Sequence, residues 1–281
     1  MDADLAAGRE LGIIEFHRHS PGPGTRHWLV RSQNFFVEWA EAGRVGSTLQ
    51  AASSHETMVL VFGHAARVTW QGKTVQAPPR SACIVPAGGL SVDLDPGGSS
   101  AVLASQRDDL GQRLALNQAD FTQADPRVQP FTPPFCRLAD AGAIRVWTID
   151  SFQAPASNPR LKMLQSATLS INWVDYDGPR DRRSLSPHSH ADLEQGSLAV
   201  AGRFVHHLRQ PWGRDADLWR EDRHIEVGSP SMLVVPVNLT HTSEGVGPGP
   251  HLLIDVFSPP RVDFIAKAWV HNAADYRAPT A

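Results

Sequence analysis

His188-Ser189-His190, Gln195 and His241 are the residues of this chain best suited to chemistry, because together they offer three imidazoles and one amide oxygen to a single ion. Histidines at i and i+2 on a strand point to one face, so His188 and His190 are expected to bind one ion together. Gln195 follows His190 on what reads as the same hairpin, and Gly202 stands seven residues further on, where a tight turn is needed. The segment Val234-Val235-Pro236-Val237-Asn238-Leu239-Thr240-His241 supplies a β run, a turn and the third histidine. A lone His-x-His pair arises by chance. The ordered set, spaced for two neighbouring hairpins of a small β-barrel, points to a metal centre. These four ligands are neutral, so a bound dication keeps nearly its full charge and favours anionic, oxygen-bearing ligands. About two positions of an octahedral ion stay open for a chelating substrate, with the metal as Lewis acid. Imidazole suits Fe, Ni and Zn alike and an amide oxygen admits Mn, so the expected cofactor is one divalent metal ion per chain, open among these four elements.

Glu194 competes with Gln195 as fourth ligand. Strand neighbours face opposite sides, so only one of them can reach the ion, and Gln195 alone keeps six residues to Gly202. Beyond Gly202, His206 and His207 are adjacent on the next strand, and one of them is expected to face inward as a general base or extra ligand. Arg209, just before the Pro211-Trp212-Gly213 turn, is the candidate for gripping a substrate carboxylate through both arms of its guanidinium. His206, His207 and Arg209 are thus the candidate catalytic residues. Trp212 and Trp219 either wall a pocket mouth or pack the hairpin that carries them, and His224, His251 and His271 read as surface histidines.

The ordered motif resembles that of the cupin family. There His-x-His is followed after three or four residues by Glu or Gln, then by six residues and Gly, and a second motif reads Pro-x-Gly-x-x-His. Here the pattern stands as His188-x-His190-x4-Gln195-x6-Gly202 and Pro236-x-Asn238-x-x-His241. Asn238 in the glycine place is a mild departure, since Asn also tolerates a left-handed turn. The run from Phe257 to Phe264 resembles the tail that follows a cupin barrel. The resemblance implies an all-β chain folded as double-stranded β-helix (jelly-roll) barrels, with the metal inside.

A weaker copy of the pattern lies upstream. Glu56 and Gly63 repeat the seven-residue step from Gln195 to Gly202, and Ile84-Val85-Pro86-Ala87-Gly88 matches Val234 to Asn238. Two tandem barrels are therefore expected. Residues 1–107 form the first, metal-free because Leu49, Ala51 and Ser91 occupy the ligand places, with strands over 35–39, 57–62, 66–70 and 82–85. Residues 108–143 form a proline-rich crossing segment with a short helix over 109–118. Residues 144–281 form the metal-binding barrel, its sheet opened by the alternating run from Ile144 to Asp150.

Composition narrows the function. A net charge of −3 and a pI near 6.5 argue against a general nucleic-acid or membrane-surface binder. The acidic start, Met1-Asp2-Ala3-Asp4, lacks the apolar core of a signal peptide, so a cytoplasmic location is expected. Cys83 and Cys136 make no disulfide framework and are expected to be free and buried. Jelly-roll edges need cover, and a homodimer is expected. Three functions fit: a metal-dependent isomerase, ring-opening enzyme or lyase for a small anionic substrate, an Fe(II) dioxygenase using the same site, or a non-catalytic binding protein.

Overall fold

The computed structural model describes residues 12–21, 26–131, 133–155 and 158–279. These residues form an all-β protein of twenty-one strands and one short α-helix, Val262–Ala266. No helix among them is long and apolar enough to cross a membrane.

Thr57–Val61, Ser81–Val85 and Ser231–Val235 are buried at every position, which requires cover on both faces of their sheets. The alternation of side chains shows what supplies it. In the first half, Met58, Leu60, Ala82 and Ile84 face one core while Val59, Val61, Cys83 and Val85 face another. In the second half, Leu198, Met232, Val234 and Ile254 join the first of these cores, whereas Ala199, Leu233, Val235 and Leu253 turn into smaller clusters. Two six-stranded antiparallel sheets thus pack face to face over a shared core. Each covers its other face with a smaller sheet, of four strands in the first half and three in the second. Ring contacts from Phe16 to Trp39, Phe62 and Trp173 run through the shared core, with centroids 6.1, 5.2 and 5.6 Å apart. The sheets are open, each ending on edge strands.

The two large sheets exchange strands. Gly12–Glu15 pairs with Ser231–Val235 at the edge of the second sheet, and Arg145–Thr148 pairs with Ser81–Val85 at the edge of the first. The run expected to open the second sheet therefore belongs to the first, where Ile144 and Val146 pack on its inner core. The helix expected over 109–118 is absent. Asp109 is instead tied to Arg107 (2.8 Å) and to the Ala52 N–H (3.0 Å), and a single 3-10 turn follows at Gln118–Phe121. Cys83 is buried as expected, but Cys136 is exposed.

The inner spaces of the two halves differ in chemistry. Leu49, Ala51, Leu90 and Val92 fill the first with Val68 and Trp70, and Ser91, between two inward neighbours, faces away. In the second, smaller apolar clusters leave room for polar side chains. Gly196, beside Gln195, lets the shared core close behind this space. A Cβ there would run into Met232 Cε and lie 2.9 Å from Phe35 Cζ. Gly196→Ala is expected to cost about 1–3 kcal/mol, read as a lower urea midpoint at constant slope. An unchanged midpoint would mean that the two sheets yield there.

Candidate metal centre

His188 and His190 lie on a loop rather than a regular strand, and three backbone hydrogen bonds hold that loop. His188 N–H donates to His241 O (3.1 Å), His241 N–H to His188 O (2.8 Å), and Asn238 N–H to His190 O (2.6 Å). The loop is thereby pinned to the turn before Thr240–Val246, where Asn238 takes a left-handed φ of 62°. Gly202, at φ 91°, turns the chain from Gln195–Ala201 into Arg203–Arg209.

His188, His190 and His241 converge, each presenting a ring nitrogen within 4.8 Å of the others. His190 and His241 are buried and His188 is exposed. Neighbouring carbonyls orient two of the rings. His188 Nδ1 lies 2.9 Å from Ser186 O, and His241 Nδ1 lies 2.9 Å from Leu239 O. A carbonyl only accepts, so both Nδ1 atoms carry a hydrogen and Nε2 is left as the metal-binding nitrogen of each ring, the arrangement of metal-binding histidines. His241 Nε2 is buried with no hydrogen-bond partner, which costs about 1–3 kcal/mol unless an electron-poor group meets it. Burial lowers the His190 pKa to about 4 and that of His241 to about 3. Both rings are therefore neutral near pH 7, the form that binds a metal.

Gln195 adds an oxygen. Its Nε2 donates to Ser197 Oγ and Asp255 Oδ1, each at 3.0 Å, which leaves Oε1 facing His190 Nε2 at 2.9 Å. That separation is a hydrogen bond. It is also the spacing of two ligands at right angles on an ion with bonds of about 2.1 Å. Glu194 turns away and accepts from the Gln33 N–H at 2.7 Å. One contact opposes the fit: Arg261 Nη1 donates to His190 Nδ1 at 3.2 Å. An ion on Nε2 moves the ring hydrogen to Nδ1, so Arg261 has to swing aside. With that adjustment, the bare Nε2 atoms and the aimed amide oxygen fit a divalent ion.

The cluster lines a cavity of about 450 Å³. Arg160, Arg180, Arg261 and Lys267 face the same space, against two acids, Asp255 and Asp263. Arg261 is paired with Asp263 at 2.8 Å and lies over the Phe264 ring. Sequence reading missed Asp255. Ile254 and Val256 beside it face the shared core, so its carboxyl turns into the cavity. Burial raises its pKa to about 6, although His188, Asn172, Ser197 and Arg180 pull it down. A signal existed, namely a carboxylate inside the otherwise apolar run 252–257.

The structure does not bring the other candidates to this cavity. His206 faces inward but stands behind Ser243, whose hydroxyl meets its Nδ1 at 2.8 Å, and burial lowers its pKa to about 4. His207 faces outward to Glu244 (2.9 Å) and His224 (2.8 Å). Arg209 is exposed and grips Asp222 with both arms, at 3.0 and 2.5 Å. Trp212 and Trp219 stack on each other, centroids 4.5 Å apart, and lie outside the cavity. His251, expected at the surface, is buried against Tyr176, and glycine at 202 and 245 leaves space for its ring.

No protein-family model matches the chain, and no curated protein matches it in sequence. Solved structures share its fold at low identity. A two-residue deletion variant of oxalate decarboxylase OxdC from Bacillus subtilis is 12% identical over 92% of this chain and 80% of that one, with a TM-score of 0.57. A structure of the same enzyme from work on its Mn(II) centres is 11% identical over 89% and 77%, with a TM-score of 0.54. AerE from Microcystis aeruginosa is 9% identical over 83% and 91%, with a TM-score of 0.53. These likenesses concern the fold, and they support the cupin fold that the histidine motif implied.

Proposed function

We propose that the protein is a metal-dependent enzyme of the cupin type, acting on a small, oxygen-rich, anionic acid by non-redox isomerisation, ring opening or elimination. The observation that carries this reading is the bare, buried Nε2 of His241, beside His188, His190 and Gln195 Oε1 in a cation-rich cavity. Those four residues would hold one divalent ion, which when bound supplies a Lewis acid that polarises a carbonyl or carboxylate oxygen. The surrounding residues do the rest. Arg160, Arg180 and Lys267 draw an anion into the cavity. Leu253, Phe257 and Trp269 give it apolar walls. Asp255, rather than His206 or His207, is placed to take and return a proton. Its Oδ1 is engaged by Gln195 and Ser197, and its Oδ2 has only a long contact, 3.4 Å, from Asn172. The likeness to oxalate decarboxylase, including a structure from work on its Mn(II) centres, supports a small acid and a hard dication. In this reading residues 1–107 and 144–281 are tandem jelly-roll units bridged by 108–143 that exchange the edge strands Gly12–Glu15 and Arg145–Thr148, and the second is the metal-binding one.

The test is turnover of small hydroxy and keto acids by protein stripped of metal and reconstituted with Mn, Ni, Zn or Fe, without oxygen. Metal-dependent turnover is expected, and Asp255→Asn is expected to lower it about 100-fold or more. Turnover that requires both Fe and O2 would replace this reading with a dioxygenase. Ligand binding without turnover under either condition would leave a binding protein.

A further inference from the structure

Arg160 and Arg180 stand apart from most arginines of the chain. Arg80, Arg107, Arg137, Arg209 and Arg261 each hold an acid. Among the described residues, neither Arg160 nor Arg180 has an ion-pair partner, although both line the cavity. They are close enough that Arg160, after burial itself, pushes the Arg180 guanidinium below its usual range. Arg180 Nε is buried with no hydrogen-bond partner. Its Nη2 makes only long contacts, 3.4 Å each, with Ser184 O and Ser186 Oγ, and the Tyr176 hydroxyl and Asp255 draw the guanidinium only weakly against burial and Arg160. Two cations facing one cavity, one of them with a buried Nε that has no acceptor, are unfavourable in the free protein and are relieved by an anion between them.

Their position sets the length of what binds. The Arg180 N–H donates to Gly245 O at 2.9 Å, four residues along the strand from His241 and so about 13 Å away. The side chain folds back from that anchor to Ser186 Oγ, and Ser186 O is the acceptor that orients the His188 ring. A single residue therefore touches both the guanidinium and the histidine cluster. Asp255, Arg180 and His188 line the same cavity, and Asp255 feels both of the others. The planar fork of arginine matches a carboxylate or a phosphoryl group.

We propose that Arg160 and Arg180 bind a second anionic group, so that the substrate is a short diacid with one end at the histidine cluster and the other on the two arginines. The first end rests on the metal-dependent function proposed above, whereas the second needs no metal. Calorimetric titration of the metal-reconstituted protein with malonate, succinate, phosphonoacetate and acetate tests it. The better of malonate and succinate is expected to bind about tenfold tighter than acetate, and Arg180→Met to abolish that advantage. Acetate affinity should fall less than diacid affinity in that variant, metal content and the thermal midpoint should not change, and Arg180→Lys should recover only part of the difference, since an ammonium lacks the fork. Phosphonoacetate binding tighter than malonate assigns a phosphoryl to the distal end, and the reverse assigns a carboxylate. Equal affinity for diacids and acetate, or parallel loss of both in Arg180→Met, overturns the proposal. In the His188→Ala, His190→Ala background, diacid binding that still falls with Arg180→Met upholds the arginine site even if the metal reading has failed. Diacid binding indifferent to Arg180 there overturns it.

Discussion

Purified protein is expected to carry about one divalent ion per chain, and the His188→Ala, His190→Ala double variant less than about a tenth of that, because both lost donors are imidazoles whose neutral form supplies most of the binding. Elemental analysis reads this directly. The expectation rests on three converging rings, two of them oriented by carbonyls at Nδ1, and on a buried His241 Nε2 that faces no partner. Gln195→Ala should weaken binding less, by about 10–100-fold, since an amide oxygen is the poorer donor and its loss leaves the histidines in place. Absence of metal in the parent protein after reconstitution with Mn, Fe, Ni and Zn would sink the metal centre. The element recovered also separates the chemistries, because iron alone would favour the oxygen-using alternative.

Glu38→Ala is expected to destabilise the protein by about 3–5 kcal/mol, a large share of the roughly 5–15 kcal/mol that holds a typical domain. The Glu38 carboxylate is fully buried and meets Arg107 Nη1 at 2.7 Å, Arg113 Nη2 at 2.6 Å and His27 Nδ1 at 3.7 Å. The Arg107 side chain is itself fully buried and keeps only Asp109, at 2.8 Å, once Glu38 is gone. A buried guanidinium left with one of its two acids is the costly state, so replacing both partners, as in Glu38→Met with Arg107→Met, should recover much of the loss. Urea denaturation of the three proteins measures this. A loss below about 1 kcal/mol for Glu38→Ala would mean that water reaches Arg107 readily. Metal content should be the same in all three, because this network lies in the first half.

The sequence by itself determined the local features of this protein. The apolar runs Thr57–Val61, Ser81–Val85 and Ser231–Val235 become strands buried on both faces, because a continuous apolar run satisfies two cores at once. The turns at Gly202 and Asn238 followed from residue type, since each takes a positive φ that few others tolerate. The grouping of His188, His190 and His241 was legible as spacing, although His188 is held by a bridge to His241 and His190 by the Asn238 N–H rather than by a regular strand. The tertiary structure decided the rest. Arg145–Thr148 alternates in the same way whichever sheet it joins, and only its packing against the first inner core selects the partner. His206 and His207 are interchangeable in sequence, and the pairing of their strand with Arg223–Val227 and Thr240–Val246 turned one to Ser243 and the other to Glu244. Arg209 found Asp222 across its hairpin, while Arg180, beside the histidines, has no ion-pair partner among the described residues and a buried Nε without an acceptor. A charged side chain points toward whatever partner the fold brings near it, and partners far apart in the chain leave no periodic trace for sequence reading to find.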